Sequence, residues 1–586
     1  MLTPEELQGR NRKRMRLAVL LALLLALGVG AYFTARPARD AIKGWQARRH
    51  AQKAFAFIEE QKWKEAKDSA VAGYQLRPIE PQALRAVARL LSRTGQPQAL
   101  EFWDQLRKKQ PLAREDLRDE AAIALSAGEM TRAQEAVAHL VGDGAAPRDW
   151  ILGAQVALQR GARDDALPFI QKALEAPNAT EREQLQAAIL QLASAAGGPA
   201  EERREAAWSR IEKLATGSSA VALDALLVFA QQALAPAGSR ESEPVPRIAP
   251  TELARMIEQH PVAKAPQKLL ALDLLAAADP TQRDPSIERG VAEWKDADVH
   301  SIATLAKWLN GKGEYQRTLE TIPTEKALQS ADLFLQHMDA LGALDRWEEI
   351  KKLLESDRYP LDPVMQRMYL ARTNAQLGEK VAAENNWQRA LGETRDQPQK
   401  LAMLADYAEK NGAFEVAGIT FERAATAAPK VRGIQAGRLR AAQRSGNAHQ
   451  IHGVLASMLE LWPNDAAIRN DEAYLRLLLT PADQQSAVGT EVEQTAAALV
   501  EANPASLPHR TLLALARLKQ GRAWDALQVY SQIQIAENAL SASALAVHAT
   551  ILHANGQIEA AQSEAAQINA QQLLPEEREL IAQLRD

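Results

Sequence analysis

His449 and His452 lie three residues apart. On a helix that spacing sets both imidazoles on one face, where they could share a metal ion. A metal site needs further ligands, and no third one is apparent. HExxH is absent, and the chain has no cysteine to supply a thiolate or a nucleophile. The pair reads as ordinary exposed or half-buried histidines, and no metal is expected. No cofactor is expected either. GxxxxGK[ST], GxGxxG and GxSxG do not occur, so the familiar phosphate cradles and nucleophile elbow are missing. The carboxylates are many and scattered, and none pairs off as an acid and a base. Eleven tryptophans could serve as stacking platforms, but their positions in the pattern below favour packing. The chain is expected not to be an enzyme.

The elements that carry these residues follow a short rule. Residues 411–429 read NGAFEVAGITFERAATAAP. An Asn-Gly turn precedes Ala417, Phe421 and Ala424, and Pro429 follows. Steps of four and three keep side chains on one face of a helix, and the proline ends it. The same steps recur from anchors at Ala66, Ala99, Ala133, Ala166, Ile350, Ala383, Ala417, Ile451, Val492, Ala526 and Ala561. Most intervals are 33 to 35 residues, with one of 41 before Val492. Twelve residues before most anchors sits a small or apolar residue, among them Ala54, Ala121, Ala371, Ala405, Leu439 and Ala514. That places it in the middle of a preceding helix, where a small side chain lets two helices approach closely. A period near 34 predicts an all-α solenoid of stacked helix pairs. Trp103 and Trp387 stand where Phe421 stands, and Trp63 and Trp347 open second helices, all packing positions.

In this pattern the chain resembles the tetratricopeptide repeat, and Ala405, Ala417, Phe421, Ala424 and Pro429 match it position by position. The resemblance spans most of residues 50–575, most clearly 54–178 and 338–575. It implies a superhelix of antiparallel helix pairs whose first helices line a concave groove. Carried over residue by residue, the groove positions are Lys307, Asn310, Asp339, Arg372, Asp406, Arg440 and Gln443. Their charges alternate in sign. The Lys/Asn clamp that some family members use for a terminal carboxylate is missing, so capture of chaperone tails is not implied. Partners are expected to be proteins or peptides held along the groove.

The organisation read from the sequence is as follows. Residues 1–16 form a basic tail and 17–35 an uncharged apolar run, LAVLLALLLALGVGAYFTA. That run has the length of a minimal transmembrane signal-anchor. Cleavage after Ala31 is the alternative. Residues 36–50 link it to a repeat array at 51–235, and PAGSRESEPVPRIAP at 236–250 makes a hinge or loop. Degenerate repeats occupy 251–337, a second array 338–575, and a capping helix 576–586. Residues 1–53 carry a balance of +8 and the remainder −12, which gives no case for nucleic-acid binding. The compact basic cluster before the apolar run favours an array outside the cytoplasm, with a cytoplasmic array as the alternative; the resemblance implies that the membrane is a bacterial inner membrane and the array periplasmic. The resemblance, to membrane-anchored bacterial members, implies a protein-interaction scaffold in envelope assembly, secretion or polysaccharide export. A carbohydrate-associating scaffold would need exposed aromatics in the groove, where the pattern offers almost none. A cytoplasm-facing envelope-assembly regulator is the third reading, although the four-cysteine module of one such family is absent.

Overall fold

The computed structural model describes residues 39–142, 144–195, 201–235, 247–356, 359–531 and 540–585. Among them every regular element is a helix, α or short 3-10. The first runs over residues 39–59 and so continues through the expected linker into the first repeat.

The chain forms two compact units, Met1–Phe229 with His260–Val262 and Ala230–Gln259 with Ala263–Asp586. In the first unit the pairs include Pro81–Arg93 with Ala99–Arg107, Arg114–Ser126 with Met130–Leu140, and Pro147–Gln159 with Arg163–Glu175. Each first helix packs on its own second helix and on the first helix of the next pair. The second unit repeats the scheme. Its pairs include Pro363–Gln376 with Lys380–Glu393, Pro398–Lys410 with Phe414–Ala427, and Leu507–Lys519 with Ala523–Ser531. The stretch read as degenerate repeats is helical too. Ile287 and Val291 lie on Arg283–Trp294, and Thr318 lies on the short helix Tyr315–Thr321, which Pro323 follows.

Local chemistry sets the helix ends. Proline takes the first turn of Pro81–Arg93, Pro147–Gln159 and Pro398–Lys410, where its missing N–H costs nothing. The turn inside the pair at 398–427 needs a left-handed residue, and Gly412 supplies it at φ +77°. The small mid-helix residues and the anchors then meet. Ala405 and Ala514 are fully buried, as are Ala66, Ala99, Ala133, Ala166 and Ala526. Phe421 is also buried and fills the step to the next pair. It lies so close to Gly437 of Arg432–Ser445 that a Cβ there would stand 2.2 Å from the ring. One glycine thus sets the distance between neighbouring pairs.

At the C-terminal end Pro575–Leu580 and Ala582–Arg585 bury Ile581 and Leu584 against Ala546, Ala549 and Leu552. The hinge residues 236–246 and the apolar run 17–35 lie outside the described residues, as do the tail and the alternative cleavage site. Among the described residues no helix is long and apolar enough to cross a membrane. The inner-membrane localisation read from the sequence is corrected accordingly. It rested on a single uncharged run at the lower limit of bilayer-spanning length, and no described helix supplies a span.

Candidate functional site

The seven groove positions, all in the second unit, fall into separate neighbourhoods. Lys307 is exposed on Val299–Gly311. Asn310, one turn on, donates to the backbone oxygen of Gln336 at 2.9 Å and so ties its helix to Ala331–Ala343. Asp339 and Arg372 face a cluster of aromatics. The Arg372 guanidinium lies over the Trp347 ring at 5.2 Å, and Tyr369 and Tyr407 stand 5.3 Å apart. Asp339 reaches solvent on one side, yet protein crowds it on the other. That burial pushes its carboxyl above the ordinary range, and Arg372 opposes the rise. Burial also raises the phenols of Tyr369 and Tyr407, and Arg372 opposes the rise at both.

Asp406 and Arg440 do meet, at 3.8 Å. Arg440 binds Glu409 more closely, at 2.9 Å, and Arg444 reaches the same carboxylate at 3.3 Å while lying over Phe414 at 3.9 Å. Hydrogen bonds from the two arginines hold the Glu409 carboxyl below its usual value. This is a charge-alternating surface with two exposed guanidinium groups.

Gln443 opens onto a different feature, a cavity of about 500 Å³. Its walls come from successive first helices: Arg432–Ser445, Ala466–Leu479, Leu507–Lys519, Ala542–Ala554 and Pro575–Leu580. Ile451 and Leu455 of Ala448–Leu461 complete them. The wall curls tightly. The Tyr474 hydroxyl donates to Glu577 Oε1 at 2.9 Å across 103 residues of sequence. In a flat stack, helices three steps apart would be roughly 25–30 Å from one another. Glu577 is buried, and its other oxygen accepts from the Leu574 N–H at 2.8 Å. Burial, with Glu577 beside it, drives the Tyr474 phenol far above its normal value. Asn470 donates to Asp471 at 3.0 Å, and its own amide oxygen is buried and unpartnered.

Tyr474 was within reach of the sequence. Asp339, Arg372, Asp406 and Arg440 follow one another at 33 and 34 residues, and 34 more reaches Tyr474. The 41-residue step hid it, because Pro481–Gln484 lie between the two helices of that pair and displace only the second. His452 points to Glu472 at 3.2 Å, and His449 is exposed. Among the described residues no group of three potential ligands could hold a metal.

A second set of residues escaped sequence reading. In the first unit the acids on successive first helices are buried and bound by arginines. Arg85 reaches both oxygens of Asp116 at 3.0 and 2.9 Å, and Arg118 reaches Asp149 at 2.5 and 2.8 Å. Each link spans 31 residues. Asp116 and Asp149 also accept from the backbone N–H three residues earlier, Ala113 and Ala146, and so cap their own helices. The recurring offset of 31 was the available signal.

No family model matches the sequence, and no curated protein matches it. Among solved structures, the APC/C hetero-tetramer Cut9–Hcn1 is 12% identical, with 79% of this chain and 95% of that chain covered and a TM-score of 0.24. Yeast Tom70 is likewise 12% identical, with 89% and 96% covered and a TM-score of 0.23. At these scores neither likeness bears on function. The helical-repeat architecture stands on the pairing and burial described above.

Proposed function

We propose that this chain is a non-enzymatic scaffold that holds protein partners against the first-helix face of its second unit. The observation that supports this most is the contrast between the two helices of each pair. Second helices bury their anchors and close the core. First helices bury their small mid-helix residues and also present Asp339, Asp406, Arg440 and Gln443 to solvent, and they lead to a half-open cavity. A row of polar side chains on stacked helices suits an extended polypeptide, which can be read at several points at once. The alternating charges favour selection by electrostatic complementarity more than raw affinity.

Site-specific photo-crosslinking in cells expressing the chain tests this reading. A crosslinker in place of Asp406 or Gln443 is expected to trap a discrete protein partner. One in place of Arg389, exposed on the second helix Lys380–Glu393, is expected not to. Identical adducts from all three positions, or none from any, would overturn the proposal.

A further inference from the structure

The cavity reached by Gln443 has walls of one sign. Two carboxylates, Asp471 and Glu577, line it, and among the described residues no lysine, arginine or histidine does so. The other polar groups are a phenol, amides and hydroxyls, including Thr511 and Ser541. Three of its acceptors are unevenly served. Glu577 is satisfied by Tyr474 and by the Leu574 N–H. Asp471 receives a bond from Asn470, and Asn470, itself only 6% exposed, leaves its amide oxygen without a donor. A buried acceptor with no partner destabilises its surroundings until a donor reaches it. Leu475, Ile451 and Leu455 supply an apolar lining beside these acceptors. A volume near 500 Å³ lies within the range of ligand pockets. The shape therefore asks for donors and positive charge at the end of an apolar stem.

We propose that this cavity receives an arginine or lysine side chain of a partner polypeptide, with Asp471 as the pairing carboxylate and the Asn470 amide oxygen as a second acceptor. The proposal rests on reading the first-helix face as protein-binding, and it adds the chemistry of the residue that is recognised. Acidic and phosphorylated segments are disfavoured there by the same carboxylates. A wholly apolar side chain would seal Asp471 away from water with no cation to balance it. The alkyl stem of lysine or arginine packs on the leucines while the head reaches the acceptors.

Labelled peptide pools that differ only at a fixed central residue provide the test. The centre is Arg, Lys, Gln, Glu or Leu, and the randomised flanks carry no charge. Binding to the purified full chain is read by fluorescence anisotropy. Arg- and Lys-centred pools are expected to bind about tenfold or more tighter than the Gln pool, with the Glu pool weakest. Asp471→Asn, which keeps the shape of the wall, is expected to erase the preference between Arg and Gln. Gln443→Arg, at the mouth, should repel the cationic pools by a similar factor. Circular dichroism of each variant verifies folding. A preference for Leu or Glu pools, no binding by any pool, or a cation preference intact in Asp471→Asn would each overturn the proposal. The photo-crosslinking result is independent of these outcomes. A partner trapped at Asp406 alongside indifferent peptide pools would sink the cavity assignment and leave the scaffold reading standing.

Discussion

Several acids on first helices fare differently in the two units, although Glu409 of the second is also held by two arginines. In the first, Asp116, Asp119, Glu120 and Asp149 are almost wholly buried, and each is held by two arginines. In the second, Asp339 and Asp471 stand at the surface without an arginine bound to them in this way, and burial of their protein-facing side raises both carboxyls. Asp149 shows the difference. Burial pushes its carboxyl up, but Arg118, the Ala146 N–H and Arg114 outweigh that and leave it below the ordinary value. At Asp119 burial prevails over Arg93 and Arg89, and its carboxyl is raised. The comparison teaches that an acid on a first helix can either lock neighbouring pairs together or be left open for a partner. For Asp116 and Asp149 the lock is made by an arginine 31 residues earlier, on the preceding first helix.

Breaking the lock should have the largest effect. Asp149→Ala removes the partner of Arg118, whose side chain is only 11% exposed, and also the cap of Pro147–Gln159. A loss of about 3 kcal/mol or more is expected in the first unit, read from its urea transition. Arg118→Met in the Asp149→Leu background should recover part of it, because no buried charge then lacks a partner. Next comes the spacing device of the second unit. Gly437→Ala drives a methyl into the Phe421 ring and should cost about 1–3 kcal/mol. Adding Phe421→Leu should return some of that loss, whereas two independent sites would add their costs.

The parts of this fold that could be read from sequence are those governed by local periodicity. Ala405, Ala417 and Phe421 are one helix face and its partner, so steps of three, four and twelve expose them. The ladder was not legible in the same way. Arg118 and Asp149 look like two charges among many until their 31-residue offset is matched with that of Arg85 and Asp116. The cavity was half legible. Gln443 was reached by counting along a first helix, but Glu577 joins it only because the helices curl, and curvature is a property of many small packing angles. The close approach at Gly437 is equally non-local, since it depends on the ring of a residue in another pair.

Asp471 and Asp149 have pH signatures of opposite sign. A carboxyl raised in the folded state binds its proton more tightly there than in the unfolded chain. Ionised Asp471 therefore costs stability at neutral pH, and the cost is relieved as pH falls through its raised pKa toward the unfolded value of 3.8. Asp471→Asn should accordingly raise the urea midpoint of the second unit at neutral pH, by under ~1 kcal/mol given its exposure. The gain should vanish on acidification across that window. Asp149 has the opposite sign. Its lowered pKa contributes stability that is complete above the unfolded value of 3.8 and is lost as pH falls through the folded pKa. A difference between wild type and Asp149→Asn should therefore persist to pH 5 and shrink only in stronger acid.

The smallest stability effect should accompany a clear effect on binding. Asp406 and Arg440 are 56% and 49% exposed and 3.8 Å apart, a geometry that contributes about 0.5 kcal/mol or less. Asp406→Ala should leave the urea midpoint of the second unit nearly unchanged, because Arg440 retains Glu409 at 2.9 Å. It also removes one of the alternating charges of the face and shifts its local potential. If that face binds a partner, the yield of the photo-crosslink placed at Gln443 should fall, and salt should weaken the remaining interaction less steeply than in wild type. A drop in stability as large as that of Asp149→Ala would mean that Asp406 belongs to a lock after all, and the contrast between the units would be lost. An unchanged midpoint with an unchanged crosslink would place Asp406 outside the binding surface and confine recognition to the cavity side of Arg440.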